Sequence, residues 1–367
     1  AIADYLQSEE VEHELLRGLI DDAMHASRPV TPQARDVYVI VGSFWSLGDN
    51  AKLLASLKAS GVRIGAYIYD LIPITHPEFC ETSLTRYFGQ ALCENLHFFD
   101  FALTISEHTA TELRRFIDGG NFRTIPIEAV PLAHSFEQAD LRDSGRNLWT
   151  GSIAELQDKP FVLCVGTIEA RKNHALLFNV WKLLQAEGGD PPLLVFAGRR
   201  GWRVDDFFAQ LEATEYLQGK IRVLHDLSDE ELATLYRNCI LTAFPSFVEG
   251  WGLPVGESLA YGKICIASNT SSIPEVGGDL VDYIDPLNPR AALGVFRRYL
   301  NDETARRARE AEIAERFVAR GWDEVGAHFA DAVRRLVASL PEESAPFVPA
   351  LASGEVFRPS DFAPDAK

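Results

Sequence analysis

The sequence predicts an α/β protein built from two parallel-sheet domains, and three observations carry that prediction. Short apolar runs alternate with helical patterns in both halves of the chain, the signature of βαβ units covered on both faces. The 367 residues exceed one ordinary core and suit two cores of moderate size. A polar, turn-rich stretch over 134–159 separates the two patterned regions and reads as a linker.

In the first half, residues 1–27 read as helix, with Tyr5, Leu6, Val11, Leu15, Leu16, Leu19 and Ile20 at helical spacing and the SEEVEHE run as its solvated face. Residues 37–41 (VYVIV) read as a fully buried strand, followed by a helix through Leu53, Leu54 and Leu57 that stops at Gly61. The next strand spans 62–69 and ends at Asp70, and 83–99 read as helix. Residues 101–105 are a strand, Ser106 an N-cap and 107–116 the helix it caps, and 124–130 close this half as an extended segment. The second half predicts strands at 161–165, 193–197, 221–224, 240–244 and 264–267, each followed by a helical stretch. Ser228 to Glu231 forms a capping box, and 296–340 read as largely helical. The proline-rich remainder has little periodicity and is expected either to be loosely ordered or to pack back along the surface.

A net charge of −18 excludes a nucleic-acid binder, which needs a basic footprint. The same charge gives no general attraction to anionic membranes, which leaves a local basic patch as the route to peripheral association. Five cysteines without CxxC spacing read as buried free thiols in a reducing, cytoplasmic compartment. No apolar run approaches the ~18 residues of a membrane-spanning helix. The chain has no initiator Met and begins inside an acidic amphipathic segment, so it is expected to lack a native N-terminus.

The stretch 245–262, PSFVEGWGLPVGESLAYG, organises the second half. An apolar run leads into a loop with glycines at 250 and 252, and the loop opens a short helix that Gly262 ends. Glu249 precedes that helix and Glu257 lies inside it. A helix start seats phosphate, and a carboxylate on each side suits hydroxyls at both ends of the ligand. Such a ligand is a nucleotide sugar. In an open parallel sheet ligands bind beyond the carboxyl ends of the strands, and the other exits read GTIEARKNH, AGRRGW, HDLSDEE and ASNTSSIPEVGG. Arg171 and Lys172 at the first exit suit a pyrophosphate, or else form an ordinary solvated pair. Glu257 has the alternative of a solvent-facing helix residue. Arg199 and Arg200 read as surface charges or contacts to a base edge, His225 as a packed strand-end residue, and Gly277-Gly278 as a turn.

The segment EGWGLPVGESLAYGKICIASNTSSIPEVGGD, with seven residues between Glu249 and Glu257, resembles the donor-site signature of retaining glycosyltransferases of family four. GTIEARKNH is similar to that family's phosphate-binding segment in the form common among bacterial mannosyl and related polysaccharide transferases. YDLIPITHPEF and LTISEHTATEL resemble its N-terminal domain, so the likeness covers roughly 37–340. The resemblance implies the GT-B architecture, two Rossmann-like domains facing a cleft with C-terminal helices packing back. Residues 1–145 would then be the acceptor domain, 146–340 the donor domain and 341–367 a tail.

Carried over by position, the family implies that Glu249 meets the donor hexose near its anomeric centre and that Glu257 holds the ribose hydroxyls. Lys172 would bind the distal phosphate with Arg171 beside it, and the amides of Trp251, Gly252 and Leu253 would meet the pyrophosphate. Residues 199–202, beginning with Arg199, would border the base together with Asp226 and Leu227. Gly166, Thr167, Gly198 and Ser246 would line the same donor site. Thr167 stands where many members carry an arginine, a part left to Arg171. The family's first glycine-rich loop is not evident, and Gly42-Ser43 stands in its place.

Asp70 and His76, just past a strand exit of the first half, are candidates to contact the acceptor or the donor sugar; otherwise Asp70 caps a turn and His76 packs before Pro77. His108 is a further candidate. No cluster has metal-ligand spacing, and Asp205-Asp206 opens a helical pattern, so neither a metal nor another cofactor is expected. The function implied is retaining transfer of a hexose, mannose from GDP-mannose foremost, to a glycan or lipid-linked saccharide, in the cytoplasm or at the inner membrane face. A GT-B sugar-nucleotide epimerase or hydrolase, and a non-catalytic nucleotide-sugar-binding domain, are the alternatives. An NAD dehydrogenase is disfavoured because no GxGxxG follows a strand.

Overall fold

The computed structural model describes residues 13–27, 30–46, 50–134 and 147–342. The expected helical turns within 1–12, residues 135–146 of the expected linker and 343–367 of the expected tail lie outside them.

In the first domain β1 (Val37–Ile40), β2 (Arg63–Ile68), β3 (Phe101–Thr104) and β4 (Ile127–Ala129) form a parallel sheet in chain order. Helices α1 (His13–Ala26), α2 (Asn50–Ala59), α3 (Ile72–Thr75), α4 (Thr82–Leu96) and α5 (Glu107–Gly119) accompany it. The middle strands are apolar and sealed: Ile64, Ala66, Phe101 and Leu103 are all fully buried. Gly65 lets the Phe101 ring lie on β2, since a Cβ there would stand 2.3 Å from it. The expectation of a fully buried first strand is corrected. β1 is an edge, pairing only with β2 among the described strands, and Val37 is 40% exposed. Ser106 caps α5 as expected, its hydroxyl accepting from the Thr109 amide at 3.0 Å.

The second domain carries β5 (Phe161–Val165), β6 (Leu193–Ala197), β7 (Ile221–Leu224), β8 (Leu241–Phe244), β9 (Cys265–Ser268) and β10 (Asp282–Ile284). All are parallel, in the order β10-β9-β8-β5-β6-β7. The five strands expected here are present. β10 was not anticipated, because its three residues include a half-exposed Asp282 and Tyr283 and make no apolar run. Its helices are α6 (His174–Ala186), α7 (Asp205–Ala213), α8 (Asp229–Asn238), α9 (Leu253–Ala260), α10 (Ile273–Gly277), α11 (Pro289–Asn301), α12 (Glu303–Arg316) and α13 (Trp322–Ser339). Ser228 and Glu231 close the predicted capping box on α8. Residues 151–156, read from sequence as linker, are a 3-10 helix whose Ile153 and Leu156 are fully buried against Phe161 and Tyr236. They belong to the second core. Strand order reverses between β5 and β8, and a crevice opens at such a switch point beyond the strand ends.

The last helix leaves the second domain. α13 packs over β3 and β4, its Phe329 ring 5.5 Å from Tyr67 and its Arg335 paired with Glu128 at 2.5 Å. Where the chain crosses back, the His134 amide donates to Arg320 O at 3.0 Å, and the Arg320 amide donates to His134 Nδ1 at 3.2 Å. Elsewhere the domains meet through the loops above both sheets. Phe79 stacks on Phe247 at 5.5 Å, and Val248 is buried with Ile72 and Cys80. The Glu275 carboxylate accepts from the Glu107 and His108 amides at the start of α5, both at 2.8 Å. Among the described residues no helix is long and apolar enough to cross a membrane.

Candidate functional site

The exits of β5 and β8, the two strands flanking the switch point, are laced together. After β5 the chain passes Gly166, at φ +130°, and a 3-10 turn over Ala170–Lys172 to Asn173, at φ +55°. The Asn173 side-chain Nδ2 donates to Pro245 O at 3.2 Å and Pro286 O at 2.9 Å, and the Phe247 N–H donates to Arg171 O at 2.8 Å. Beside it the β6 exit comes very close: a Cβ on Gly198 would lie 2.1 Å from Gly166 O. That approach requires glycine.

This lacing brings Lys172, Arg171 and Glu249 together. Lys172 Nζ lies 2.6 Å from Glu249 Oε1, and Arg171 Nη1 lies 2.5 Å from Oε2. The other arm of Arg171 reaches Glu169 Oε1 at 2.8 Å. These side chains are largely buried, Lys172 12% and Arg171 22% exposed, so they are not a solvated pair. Burial alone would push the Glu249 carboxyl up, but Lys172 and Arg171 outweigh it and hold it below the usual carboxylate range. The Glu249 backbone is fixed as well: its N–H donates to Ser271 Oγ at 2.9 Å, and Ser272 Oγ donates to its carbonyl at 2.8 Å.

Gly252, at φ +119°, turns the chain into α9, whose leading N–H groups lack intrahelical acceptors. Within α9, Glu257 is buried rather than solvent-facing, and Tyr236 Oη donates to its Oε2 at 2.6 Å. Burial raises its carboxyl above the ordinary range. Trp251 is buried, its ring parallel to His134, while Leu253 is 37% exposed. Ser246 is fully buried with its carbonyl accepting from Thr270 Oγ1 at 3.2 Å, and Thr167 is exposed on the β5 exit.

Farther along, Arg199 and Asp226 are exposed and paired at 2.6 Å, with Leu227 half-buried beyond them. Arg199 and Gly198 share a cavity of about 330 Å³ with Arg200, Phe208, Tyr216 and His225. His225 is therefore an exposed wall of that cavity and not a packed strand-end residue.

A second cavity, of about 270 Å³, lies between the domains. Asp70 lines it from the first domain, Glu169, Arg171 and Trp202 from the second. Asp70 Oδ1 also accepts from the Ile72 amide at 3.0 Å, so it caps a turn and faces the cavity at once, and burial raises its pKa. His76 does not line the cavity; its Nδ1 lies 3.2 Å from Glu78 and its ring stacks near Phe79. His108 sits 3.6 Å from Glu112. Sequence reasoning missed Glu169, Tyr236 and Ser272. Glu169 and Ser272 lay within the quoted exits, but nothing marked Tyr236, whose partner is 21 residues away.

Residues 146–316 match the family model described as "Glycosyl transferases group 1". The chain is 32% identical over 238 residues to the O-antigen chain mannosyltransferase B of Escherichia coli, covering 65% of this chain and 61% of that protein. It is 28% identical to the serotype-specific mannosyltransferase WbdA of Escherichia coli over 55% of this chain, and 25% of that protein. The chain thus spans 61% and 25% of the length of these two relatives. Among solved structures it resembles "Trehalose-6-phosphate from E. coli bound with UDP-2-fluoro glucose", at TM-score 0.61 and 16% identity, over 90% of this chain and 78% of that one. The sucrose-phosphate synthase of Thermosynechococcus elongatus matches at TM-score 0.58 and 18% identity, over 82% and 74%. The fold is the two-domain GT-B glycosyltransferase fold.

Proposed function

We propose, from the premise that residues 146–316 belong to the glycosyl transferases group 1 family, that the protein transfers mannose from GDP-mannose to a glycan or lipid-linked saccharide with retention of configuration. The names of the relatives, O-antigen and serotype-specific mannosyltransferases, support the sugar and the polysaccharide acceptor. The observation that carries the reading is the joining of Arg171, Lys172 and Glu249 at the β5–β8 switch point.

In this reaction the bond between the anomeric carbon and a diphosphate oxygen breaks and a bond to an acceptor oxygen forms. The acceptor proton passes to the departing phosphate. Negative charge grows on the leaving group, and Lys172, Arg171 and the first amides of α9 are preorganised donors for it. Glu249, kept ionised by the two cations, faces the donor hexose, and Glu257, oriented by Tyr236, takes the ribose hydroxyls. Asp70 contacts the acceptor from the opposite domain. The arrangement works without a metal, so a chelator leaves turnover intact. The reaction belongs on the cytoplasmic side, with a lipid-linked acceptor at the inner membrane face.

An interdomain cavity walled by both halves favours transfer over hydrolysis or epimerisation, which need no acceptor wall. Thermal stabilisation across a panel of nucleotides and nucleotide sugars tests the donor, since bound ligand raises apparent stability by mass action. GDP-mannose should give the largest shift; a panel in which no guanosine ligand stabilises the chain would refute that donor.

A further inference from the structure

Phe44 and Trp45 line the cleft cavity from the first domain. A third cavity, of about 240 Å³, adjoins it and shares Phe44 and Trp45 as a common wall. Those rings are 5.2 Å apart, and the Trp45 ring lies 5.0 Å from Phe88, which fixes the wall in place. Each cavity falls below the ~300–1,000 Å³ of a drug-sized ligand site and suits a single sugar ring.

The linings suit sugars. On the outer side stand Tyr87, 54% exposed, and the amides of Asn50 and Gln90. An aromatic face takes the apolar side of a pyranose while amides take its hydroxyls. Asn50 Nδ2 donates to Asn95 Oδ1 at 2.9 Å, and Asn50 Oδ1, on a side chain only 6% exposed, has no hydrogen-bond partner among the described residues. Gln90 Nε2 donates to Glu94 Oε1 at 2.8 Å.

The charges oppose an anion. In the inner cavity Arg171 is committed to the donor's diphosphate on the proposed reading, which leaves the carboxylates of Asp70 and Glu169 facing an acceptor. The outer cavity carries one residue of each sign, Lys52 and Glu94. A phosphate placed in either meets at least as much negative as positive charge.

We propose that the two cavities are successive subsites of one acceptor groove, divided by the Phe44–Trp45 pair, and that the acceptor is an uncharged glycan of at least two rings. A monosaccharide would fill half of the groove, and a sugar phosphate would be repelled from it. The inference rests on the transferase reading and adds to it the length and charge of the acceptor.

The test has two arms. Thermal shifts with GDP and GDP-mannose report on the donor reading by themselves. Titration calorimetry, with and without GDP, then measures binding of methyl α-mannoside, a set of α-linked mannobioses and mannose 6-phosphate. At least one mannobiose should bind about tenfold tighter than the monoside, with mannose 6-phosphate the weakest. Tyr87→Ala and Gln90→Ala, both surface substitutions, should each shrink the ratio of biose to monoside affinity. Equal affinities for monoside and bioses, tightest binding of the sugar phosphate, a ratio unmoved in both variants, or no saccharide binding at all would each overturn the groove. The second arm reads binding, not turnover, so it decides the groove even where the first arm points to another donor.

Discussion

Lys172 Nζ lies 2.6 Å from Glu249 Oε1 and 4.7 Å from the centre of the Phe244 ring. The cation of one strand exit is thus cradled by the carboxylate and aromatic face of the neighbouring one. Such a charge is in place before any substrate arrives, and it does most for the state in which leaving-group charge is greatest. Lys172→Ala should therefore lower turnover about 10²–10³-fold. Stabilisation by GDP should fall much less. Steady-state kinetics beside thermal shifts separate the two, and near-normal turnover would refute the assignment.

The Tyr236–Glu257 hydrogen bond, 2.6 Å long, orients the carboxylate proposed to meet the ribose, and chemistry on the ligand tests that role. Wild-type protein should bind GDP about tenfold tighter than its 2′,3′-dideoxy analogue. Glu257→Gln should weaken GDP and bring the two ligands close to parity, because the ribose hydroxyls then have no carboxylate to meet. A variant that still distinguishes them as the wild type does would place the ribose elsewhere.

Glu112, on α5, is held up to about 7 from an ordinary 4.5, first by burial and then by the charge of Asp70. Between those values the native state binds more protons than the unfolded one, so this group's contribution falls as pH rises. From pH 4 to pH 8 it removes about 3 kcal/mol of stability. Glu112→Gln abolishes the titration. Its melting temperature relative to wild type should rise as the buffer moves from pH 5 to pH 8, and a difference that stays flat would contradict the shift.

What the sequence disclosed follows the range of the interactions. Phe161 to Val165 and Leu241 to Phe244 are short, apolar and followed by glycine or proline, so the strands and their exits could be read locally. The pairing of Arg171 and Lys172 with Glu249 was foreshadowed only as three charges at two exits. Residues 77 and 78 positions apart became neighbours because β5 and β8 lie side by side. Val37 was misjudged since an edge strand and a central one share the same apolar run. Tyr236, and the Phe44–Trp45 wall, gave no sign: each acts through contacts between elements whose adjacency no local pattern encodes.

Gly250, in the loop between β8 and α9, lies tight against the first domain. A Cβ there would stand 2.6 Å from Tyr69 O and 3.0 Å from the Asp70 Cβ. Gly250→Ala should force the domains apart and misplace the acceptor, lowering transfer about 10²-fold. GDP-induced stabilisation should persist. X-ray scattering should show a larger radius of gyration, and an unchanged radius with full transfer would mean that the loop yields without moving the domain.

The two crossings between domains are fastened to each other, His134 to Arg320 in both directions, at 3.0 and 3.2 Å. The end of the first domain's described chain and the return crossing are thereby held side by side. A break in the linker would thus leave the two domains still tied at this point, through His134 and through the packing of α13 on β3 and β4.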